Sequence, residues 1–508
     1  MKGELKMKII LSVILSLVFI AASSACTRGT TPSGGTTGSS GDTVSTVGTE
    51  RPAYRDNLPE RDFDGHTFYV LTGVHGAATT HSFYTEETSD ALELAFYKRN
   101  QAVASRFNLD FYEDDSGNCQ KIDTLRTNVS SGDKTVDLYM LWDRFAFSAA
   151  QEALVYSIEE LEYVDLSNPW WAQKINSQLS FDGKLWFAVG DENPVLMTGC
   201  GVLFYNRAMT DNLRLGSFTE LVRNGEWTYE NFFGAAKTAI SDNGDTVLDD
   251  NDVWGIVTNS NQFYNNLWMT NGNTIIAKDG NDIPYIAADT DSSFNDIFGK
   301  IISYAHSEKG TVLDVLANPE VLTKDYSAAA DRYEKALHVF GNGDALFAAC
   351  AVSRAGVLRY FDDLDYGILP FPKAEESKPG TPYDGTIGAL VPYIAPSHID
   401  GETAERTGII LEALACAGKN YVNPVYYGTV LAQKEVGGDP DSIEMLDMMF
   451  NNRTIDLAEV YFTTDTGFFV ICAADNRSYI TSLESGKAAI ENAIKIAKMM
   501  FENQNNKQ

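Results

Sequence analysis

Between residues 66 and 142 the sequence alternates short β-rich segments with amphipathic helical segments, and this alternation restricts the fold more than any other feature. HTFYVLTG (66 to 73), NLDFYE (108 to 113) and DLYMLW (137 to 142) have the composition of strands. Residues 90 to 107 carry apolar side chains at helical spacing after an acidic start, and a second helix is predicted over 122 to 130. This order of elements is typical of a parallel sheet, so we predict an α/β protein.

The same alternation returns after residue 200 and predicts a second α/β unit. GVLFYN (201 to 206) and VWGIV (253 to 257) have strand composition and flank a predicted helix over 227 to 240. DYGILPFP (365 to 372) has the pattern of a strand that ends at a proline-rich crossover. The remaining predicted helices are 402 to 418 and about Ser485 to Glu502. Two units with crossovers near 190 and 370 predict two lobes with a cleft between them.

An export signal is predicted at the N-terminus. Lys2, Lys6 and Lys8 precede an uncharged apolar run over residues 9 to 22, and the small residues 23 to 25 follow it. This layout is typical of a secretory signal peptide. The run of 14 residues is too short to cross the membrane comfortably, because a spanning helix takes about 20 residues.

The residues around Cys26 resemble the lipobox of bacterial lipoproteins, in which the cysteine thiol is acylated and the chain is cut just before it. Ser23 stands where that pattern usually has Leu, Val or Ile. Residues 27 to 50 form a Gly/Ser/Thr-rich tract, which is typical of a flexible tether. We therefore expect a lipoprotein held at the outer face of the cell membrane by its lipid alone, with plain secretion as the alternative.

Charge and cysteine content exclude several classes of protein. A formal net charge of −31 argues against a nucleic-acid partner, because phosphate binding depends on a basic surface. Six cysteines are present, and the five beyond Cys26 are scattered without a CxxC motif. Such a set is not a disulfide scaffold. We expect these cysteines to be small apolar core residues, and one disulfide bond between two of them is the alternative.

Five segments together resemble the extracellular solute-binding proteins of ABC importers (family 1), the cluster that includes the maltodextrin-binding proteins. They occur in the family's order and are LYMLWDRFAFSAAQEALVYSIEEL (138 to 161), LWFAVGD (185 to 191), VLFYNR (202 to 207), DYGILPFPK (365 to 373) and ERTGIILEAL (405 to 414). The resemblance implies a two-lobed, periplasmic-binding-protein-like (type II) Venus flytrap with its ligand in the hinge cleft. It also implies a monomer that delivers a solute, most simply an oligosaccharide, to an importer permease, with no catalysis and no required cofactor.

The resemblance and the crossovers together set the expected domain boundaries. They are 1–25 for the signal peptide, 26–57 for the lipid-bearing cysteine and tether, 58–192 with 372–425 for the first lobe, and 193–371 with 426–508 for the second lobe.

Candidate ligand-binding residues come from the loops that the resemblance places at the cleft. Relatives carry a Trp, an Asp and an Arg facing the sugar where this chain has Trp142, Asp143 and Arg144. The alternative is a core Trp142 beside a surface pair of Asp143 and Arg144. Aromatic rings with a few polar groups are typical of ligand pockets, which favours a binding role.

The amide- and aromatic-rich stretch 259 to 272 matches in order the segment where relatives place a stacking tyrosine. It makes Tyr264, Asn265 and Trp268 candidates, although helical spacing also permits Trp268 in the core.

Four further candidates lie near the crossovers. Asp191 and Glu192 occur at the first crossover, with a solvated turn as the alternative, and Tyr383 and Asp384 follow the second. The pair at 170 and 171, two tryptophans after a proline, is interpreted as structural.

The segment 241 to 252 resembles an EF-hand calcium loop. Asn243, Asp245, Asp249 and Asp252 hold places three, five, nine and twelve, where oxygen ligands suit calcium. Ser241 at place one and Thr246 at place six depart from the motif, the latter replacing the turn glycine. A metal-free acidic turn is the favoured interpretation and a calcium site is the alternative.

Enzyme motifs are absent from the sequence, which contains no HExxH, GxSxG or GxxxxGK. A glycoside hydrolase needs two well-separated carboxylates, and adjacent residues such as Asp191 and Glu192 rarely converge on one bond. A surface glycoside hydrolase and a receptor that presents its ligand to a signalling sensor are therefore the alternatives to an importer receptor.

Overall fold

The computed structural model describes residues 53–73, 83–258, 262–330, 333–375, 379–380, 382–428 and 438–505. The predicted signal peptide, Cys26 and the tether lie outside these residues, as do residues 259–261 of the amide-rich stretch.

Two main sheets and two short ones are formed by the strands of the described residues. In chain order these strands are β1 (His66–Leu71), β2 (Leu109–Asp114), β3 (Leu138–Met140), β4 (Gly201–Asn206), β5 (Trp254–Thr258), β6 (Ile276–Lys278), β7 (Pro284–Ile286), β8 (Val312–Asp314), β9 (Ala345–Ala351), β10 (Tyr366–Leu369), β11 (Gly385–Thr386), β12 (Tyr393–Ile394) and β13 (Arg453–Thr454).

Helices connect and cover these strands. The longer α-helices, of six residues or more, are Ala91–Phe107, Ile122–Ser131, Asp143–Gln151, Gln173–Leu179, Arg207–Asn212, Phe218–Asn224, Tyr229–Ala239, Gln262–Met269, Ser292–Ala305, Lys335–Gly341, Gly401–Ala417, Pro440–Asn451, Phe468–Ala474 and Ile480–Asn505. Shorter α-helices are Val195–Thr198, Ala287–Thr290, Ala355–Leu358, Asn423–Val425, Leu457–Val460 and Thr463–Thr466. Within the described part of the chain, no helix is both long enough and apolar enough to cross a membrane.

Local sequence determines the helix Ala91–Phe107. Asp90 accepts hydrogen bonds from the backbone N–H groups of Leu92 and Glu93, which would otherwise lack partners at the helix start. Asn108 ends the helix in the left-handed conformation with φ of 50°. The buried face includes Phe96, Val103 and Phe107, so the predicted helix is confirmed within one residue.

The first sheet has the order β12-β3-β1-β2. β1 is parallel to β2 and to β3, as the alternation of strands and helices predicted. β12 returns much later in the chain and adds an antiparallel edge beside β3.

The second sheet has the order β10-β4-β9-β5-β8, and here the prediction of a parallel sheet was partly wrong. β5 is parallel to β8 and β9, but β4 is antiparallel to both of its neighbours. Those neighbours come from residues 345–369 rather than from the next strand–helix unit, so no crossover helix sets their direction relative to β4.

The chain passes between the two sheets along segments that lie side by side. β11 pairs in parallel with β13, and Cys200 forms an isolated bridge with Ile387. We call this group of adjoining segments the hinge strands. The α/β class and the two-lobed architecture are thereby confirmed.

A close approach beside the hinge strands requires glycine. A Cβ atom on Gly418, where the helix Gly401–Ala417 continues into a π-helical turn, would lie 1.7 Å from the carbonyl oxygen of Asp191. Helix and crossover pack in this arrangement because residue 418 has no side chain.

Two sequence interpretations of the core are confirmed. Cys119, Cys200, Cys350, Cys416 and Cys472 are all buried and free. The two tryptophans interpreted as structural are buried, and their indole nitrogens donate to the carboxylate of one buried residue, Glu412.

Candidate functional site

Asp143 lies where β3 of the first sheet runs into the helix Asp143–Gln151, and it is 3% exposed. One carboxylate oxygen accepts from the backbone N–H of Leu390 at 2.8 Å, and the other accepts from that of Arg144 at 2.7 Å. Burial nevertheless raises the pKa of Asp143 to about 7. Asp143 therefore fixes the helix start against the segment that leads into β12 and places a carboxyl group at the carboxyl end of β3.

Two more carboxyl groups face the same region from the segment that follows β13. Asp456 accepts hydrogen bonds from the backbone N–H groups of Ile275, Ile276 and Ala458. Burial raises the pKa of Asp456 to about 6. Burial, together with the charges of Asp456 and Asp143, raises the pKa of Glu459 to about 7.

Asn265 adds an amide group from the second sheet, because it lies on the helix that follows β5. It is 2% exposed, and its amide group lowers the pKa of Glu459. Neither the amide nitrogen nor the amide oxygen forms a hydrogen bond of ordinary length and angle with another described residue. The neighbouring Asn266 accepts a hydrogen bond from Thr386 in the hinge strands, which holds this helix at the base of the cleft.

An aromatic pair borders these polar groups. The ring of Tyr461 stacks on the ring of Phe147, with centroids 3.9 Å apart and planes 9° from parallel. The Tyr461 hydroxyl donates to the carbonyl oxygen of Leu179 at 2.6 Å, and burial, with a smaller effect of the charge of Asp143, raises the pKa of Tyr461. Asp143, Asn265, Asp456, Glu459 and Tyr461 are together called the acidic cluster.

The other residues predicted at this site are placed differently. Trp142 is 8% exposed and precedes the helix that begins at Asp143. Arg144 is exposed and lies over the ring of Phe145, so it does not form the surface pair with Asp143 that the alternative interpretation proposed. Tyr264 is buried beside Asn265.

Two predicted ligand-binding rings lie in the core of this structure. Trp268 is fully buried, and its ring packs on Phe298 and Phe294 of the helix Ser292–Ala305, which places it in the core. Tyr383 is also fully buried, and its hydroxyl donates to the carbonyl oxygen of Trp227. The next residue, Asp384, lies 3.6 Å from the ammonium nitrogen of Lys174.

Asp191 and Glu192 lie at the hinge, which is the position that the sequence predicted. Both residues are buried, so they do not form a solvated turn. Asp191 pairs with Lys419 at 2.9 Å and accepts from the Asn423 amide at 2.5 Å. Burial raises the pKa of Glu192 to about 8. The buried guanidinium of Arg99 donates to the backbone carbonyl of Glu192 at 2.6 Å, which ties the first crossover to the helix Ala91–Phe107.

Sequence reasoning missed Glu459, Asp456 and Tyr461. These residues follow the last hinge strand, β13, nearly 200 residues after Asn265, and no local motif marks them. One usable signal was the run of polar and aromatic residues from 453 to 463 after an amphipathic helix.

Side-chain oxygens of the acidic loop at 241–252 accept hydrogen bonds from backbone N–H groups of the same loop. Both carboxylate oxygens of Asp252 accept backbone N–H groups, from Asn243 and Asp249, each at 2.8 Å. The side chain of Asn243 accepts from the N–H of Asp245, whose own carboxylate accepts from Val247. Among the described residues, no group of three or more His, Cys, Asp or Glu side chains is arranged to hold a metal ion.

We expect calcium at millimolar concentration to leave the melting temperature of the protein unchanged. An ion would have to displace the two backbone N–H groups that Asp252 binds, and the ordinary calcium loop gains its affinity from free carboxylates around a sharp turn. Thermal melts with added calcium or with EDTA measure this. A rise of several degrees that an Asp252→Asn variant abolishes would establish a calcium site instead.

No protein-family model matches the chain, and no curated relative matches it. Among solved structures the chain is similar to UspC of M. tuberculosis, with 13% identity and a TM-score of 0.53 over 84% of this chain and 100% of that chain. A sugar transporter from Rhizobium etli in an open conformation gives 13% identity and a TM-score of 0.53 over 86% and 99% of the two chains. The cyclic alpha-maltosyl-1,6-maltose binding protein from Arthrobacter globiformis gives 10% identity and a TM-score of 0.53, over 85% of this chain and 99% of that chain.

The chain has the two-lobed fold of the extracellular solute-binding proteins. The alignments span nearly the whole length of those chains, so both sheets and the hinge strands are included. In open α/β sheets, ligands bind in the crevice outside the carboxyl ends of the strands. The acidic cluster of this solute-binding-protein fold combines a residue that follows β3 of one sheet with a residue that follows β5 of the other.

The buried carboxyl groups predict how the ligand-free solute-binding-protein fold responds to pH. Burial raises the pKa of Glu192 to about 8 and of Asp143 and Glu459 to about 7, so the folded chain binds more protons than the unfolded chain above pH 5. The free energy of unfolding therefore falls as pH rises from about 5 to 8. Urea titrations across this range measure the slope, which Glu192→Gln should reduce. A stability that rises toward pH 8 would contradict the prediction.

Proposed function

We propose that this protein is an extracellular receptor that binds an oligosaccharide and delivers it to an ABC-type importer. One observation carries the proposal: Asp143, which follows a strand of the first sheet, and Asn265, which follows a strand of the second, both lie close enough to Glu459 to change its pKa. A ligand held by groups from both lobes stabilises the closed form over the open form, which is how such a receptor signals that it is loaded.

The names of the structural neighbours support a sugar ligand. The Rhizobium etli protein is described as a sugar transporter and the Arthrobacter globiformis protein as a cyclic maltosyl-maltose binding protein. Carboxylate and amide groups beside an aromatic ring, as in the acidic cluster, suit hydroxyl groups and the apolar face of a sugar ring.

A panel of oligosaccharides tests the proposal by intrinsic tryptophan fluorescence and by the shift in melting temperature. We expect at least one micromolar ligand, and we expect Asn265→Ala to weaken its binding about tenfold or more, since a buried amide then no longer bonds the ligand. Asn281→Ala, in an exposed turn, is the matched control. A panel without any hit counts against the sugar ligand.

Two alternatives have separate tests. Both carboxylate oxygens of Asp143 already accept backbone N–H groups, which is a poor arrangement for a catalytic acid or nucleophile. Turnover of chromogenic glycosides by the purified protein would nevertheless establish a hydrolase. An adjacent sensor-kinase gene in place of permease genes would favour a receptor for signalling.

Export and anchoring are part of the proposal. A signal peptide over residues 1–25 would leave Cys26 at the N-terminus, where a lipid would hold the receptor near its permease. A single-site change tests this: Cys26→Ala is expected to move the protein from the membrane fraction to the soluble fraction. A variant that stays in the membrane fraction contradicts lipid anchoring.

A further inference from the structure

The acidic cluster contains an unbalanced concentration of negative charge. The charges of Asp456 and Asp143 both raise the pKa of Glu459, after the larger effect of burial. Among the described groups, Arg144 is the cation whose charge acts on Asp143, and its exposed guanidinium lies 4.9 Å from the ring of Phe145. No described cation is paired with Glu459 or Asp456, in contrast to Asp191 at the hinge, which has Lys419.

The three carboxyl groups are not equivalent. The carboxylate oxygens of Asp143 and Asp456 accept hydrogen bonds from backbone N–H groups, so these two residues hold loops in place and contribute charge. Glu459 accepts no hydrogen bond of ordinary geometry from a described residue, and unlike the other two it keeps some solvent-accessible surface although it lies deep in the protein. It is therefore the carboxyl group that a bound solute can reach.

Asn265 provides the second, independent sign of a ligand. Its side chain is buried, and its amide group lies close enough to Glu459 to lower the pKa of that carboxyl group, yet neither amide atom forms a hydrogen bond of ordinary geometry. Buried amide groups are nearly always hydrogen-bonded in folded proteins, and leaving one unpaired costs about 1–3 kcal/mol. An amide left in this state beside an accessible carboxylate indicates groups held ready for something that the protein itself does not supply.

We propose that the solute carries an amino group, positively charged at neutral pH, that binds between Glu459 and Asn265. This inference rests on the proposed function and narrows it to amino-bearing oligosaccharides. An ammonium group has three N–H donors and no acceptor, which suits a carboxylate near an amide oxygen that has no hydrogen-bond partner of ordinary geometry. Its charge replaces the missing cation among Asp143, Asp456 and Glu459, and charge-assisted hydrogen bonds are about twice as strong as neutral ones.

The same arrangement disfavours anionic solutes. A uronate or a phosphorylated sugar would bring a further negative charge to carboxyl groups whose pKa values are already raised, where burial weakens screening by solvent. The net charge of −31 acts in the same direction at long range, because it attracts cationic solutes and repels anionic ones.

Three tetrasaccharides that differ in charge test the inference by titration calorimetry at pH 7. They are the β-1,4 tetramer of glucosamine, its fully N-acetylated form and tetragalacturonate. We expect the amino tetramer to bind about tenfold or more tightly than the acetylated form, and the galacturonate not to bind. Equal or tighter binding of the acetylated form, or binding of the galacturonate, overturns the amino-group inference and leaves the sugar receptor standing.

A variant separates a specific contact from general attraction. Glu459→Gln keeps the shape of the side chain and removes its charge, so the preference for the amino tetramer should shrink to about twofold while the fold is retained. Glu308→Gln, which removes one charge from an exposed position, should keep the full preference. An unchanged preference in Glu459→Gln overturns the inference. If a neutral oligosaccharide in the wider panel binds and the amino tetramer does not, the amino-group inference is wrong and the proposed function stands. If no oligosaccharide in the wider panel binds, both the inference and the proposed function are wrong.

Discussion

We expect Glu412→Ala to lower the free energy of unfolding by about 4 kcal/mol, because one buried carboxylate serves four donors. Glu412 is 1% exposed, on the long helix Gly401–Ala417. Its two oxygens accept from the indole nitrogens of Trp170 and Trp171 at 3.0 and 2.8 Å, from the Asn168 amide at 2.7 Å and from the backbone N–H of Asp165 at 3.3 Å. Alanine would leave these donors buried without an acceptor.

Urea titration measures the loss. Glu402→Ala on the same helix is the matched control, and since Glu402 is exposed its removal should cost less than about 1 kcal/mol. Glu412→Gln keeps one acceptor oxygen and should give an intermediate loss. Equal stability of the two alanine variants would show that the donors find other partners, and that the carboxylate is not what fixes the segment 165–171.

Gly418→Ala is expected to lower the free energy of unfolding by about 3 kcal/mol through crowding alone. The backbone of Gly418 has ordinary helical angles, φ of −57° and ψ of −47°, which alanine adopts without strain. The added methyl group would lie 1.7 Å from the carbonyl oxygen of Asp191, so helix and crossover must separate. The pairs of Asp191 with Lys419 and Asn423 would be disturbed as well.

A second helical glycine provides the control for this change. At Gly299, in the helix Ser292–Ala305, an added methyl group would meet no atom within 4 Å beyond the backbone of its own helix. Gly299→Ala should therefore raise the stability by about 0.5–1 kcal/mol, because alanine favours a helix. If both variants gain stability, helix and crossover are not in close contact in solution.

The elements of the first sheet could be predicted because each one is encoded locally. Asp90 and the apolar spacing after it mark a helix start, and the β-rich segments near 66, 109 and 138 have no other good interpretation. The direction of β4 could not be predicted. It depends on which distant strands lie beside it, and those strands arrive about 140 residues later.

Some residues of the candidate site could likewise be predicted from the sequence, and others could not. Asp143 and Asn265 were found because the residues around them match a family in order along the chain. Glu459 was missed since it meets Asn265 through the path of the chain after the hinge strands, which no short pattern encodes. Trp268 shares a helix with Asn265, and which of the two faces the acidic cluster depends on packing against Phe298.

The buried cysteines have a practical consequence for labelling. Burial raises the pKa of Cys119, Cys200, Cys350 and Cys416 to about 12, and Cys472 is fully buried. Alkylating reagents attack the thiolate, so at neutral pH these buried thiols do not react with them while the protein is folded. Maleimide uptake by the intact wild-type chain would then report on Cys26, and a fluorophore on one introduced surface cysteine would report lobe closure without removal of any native thiol.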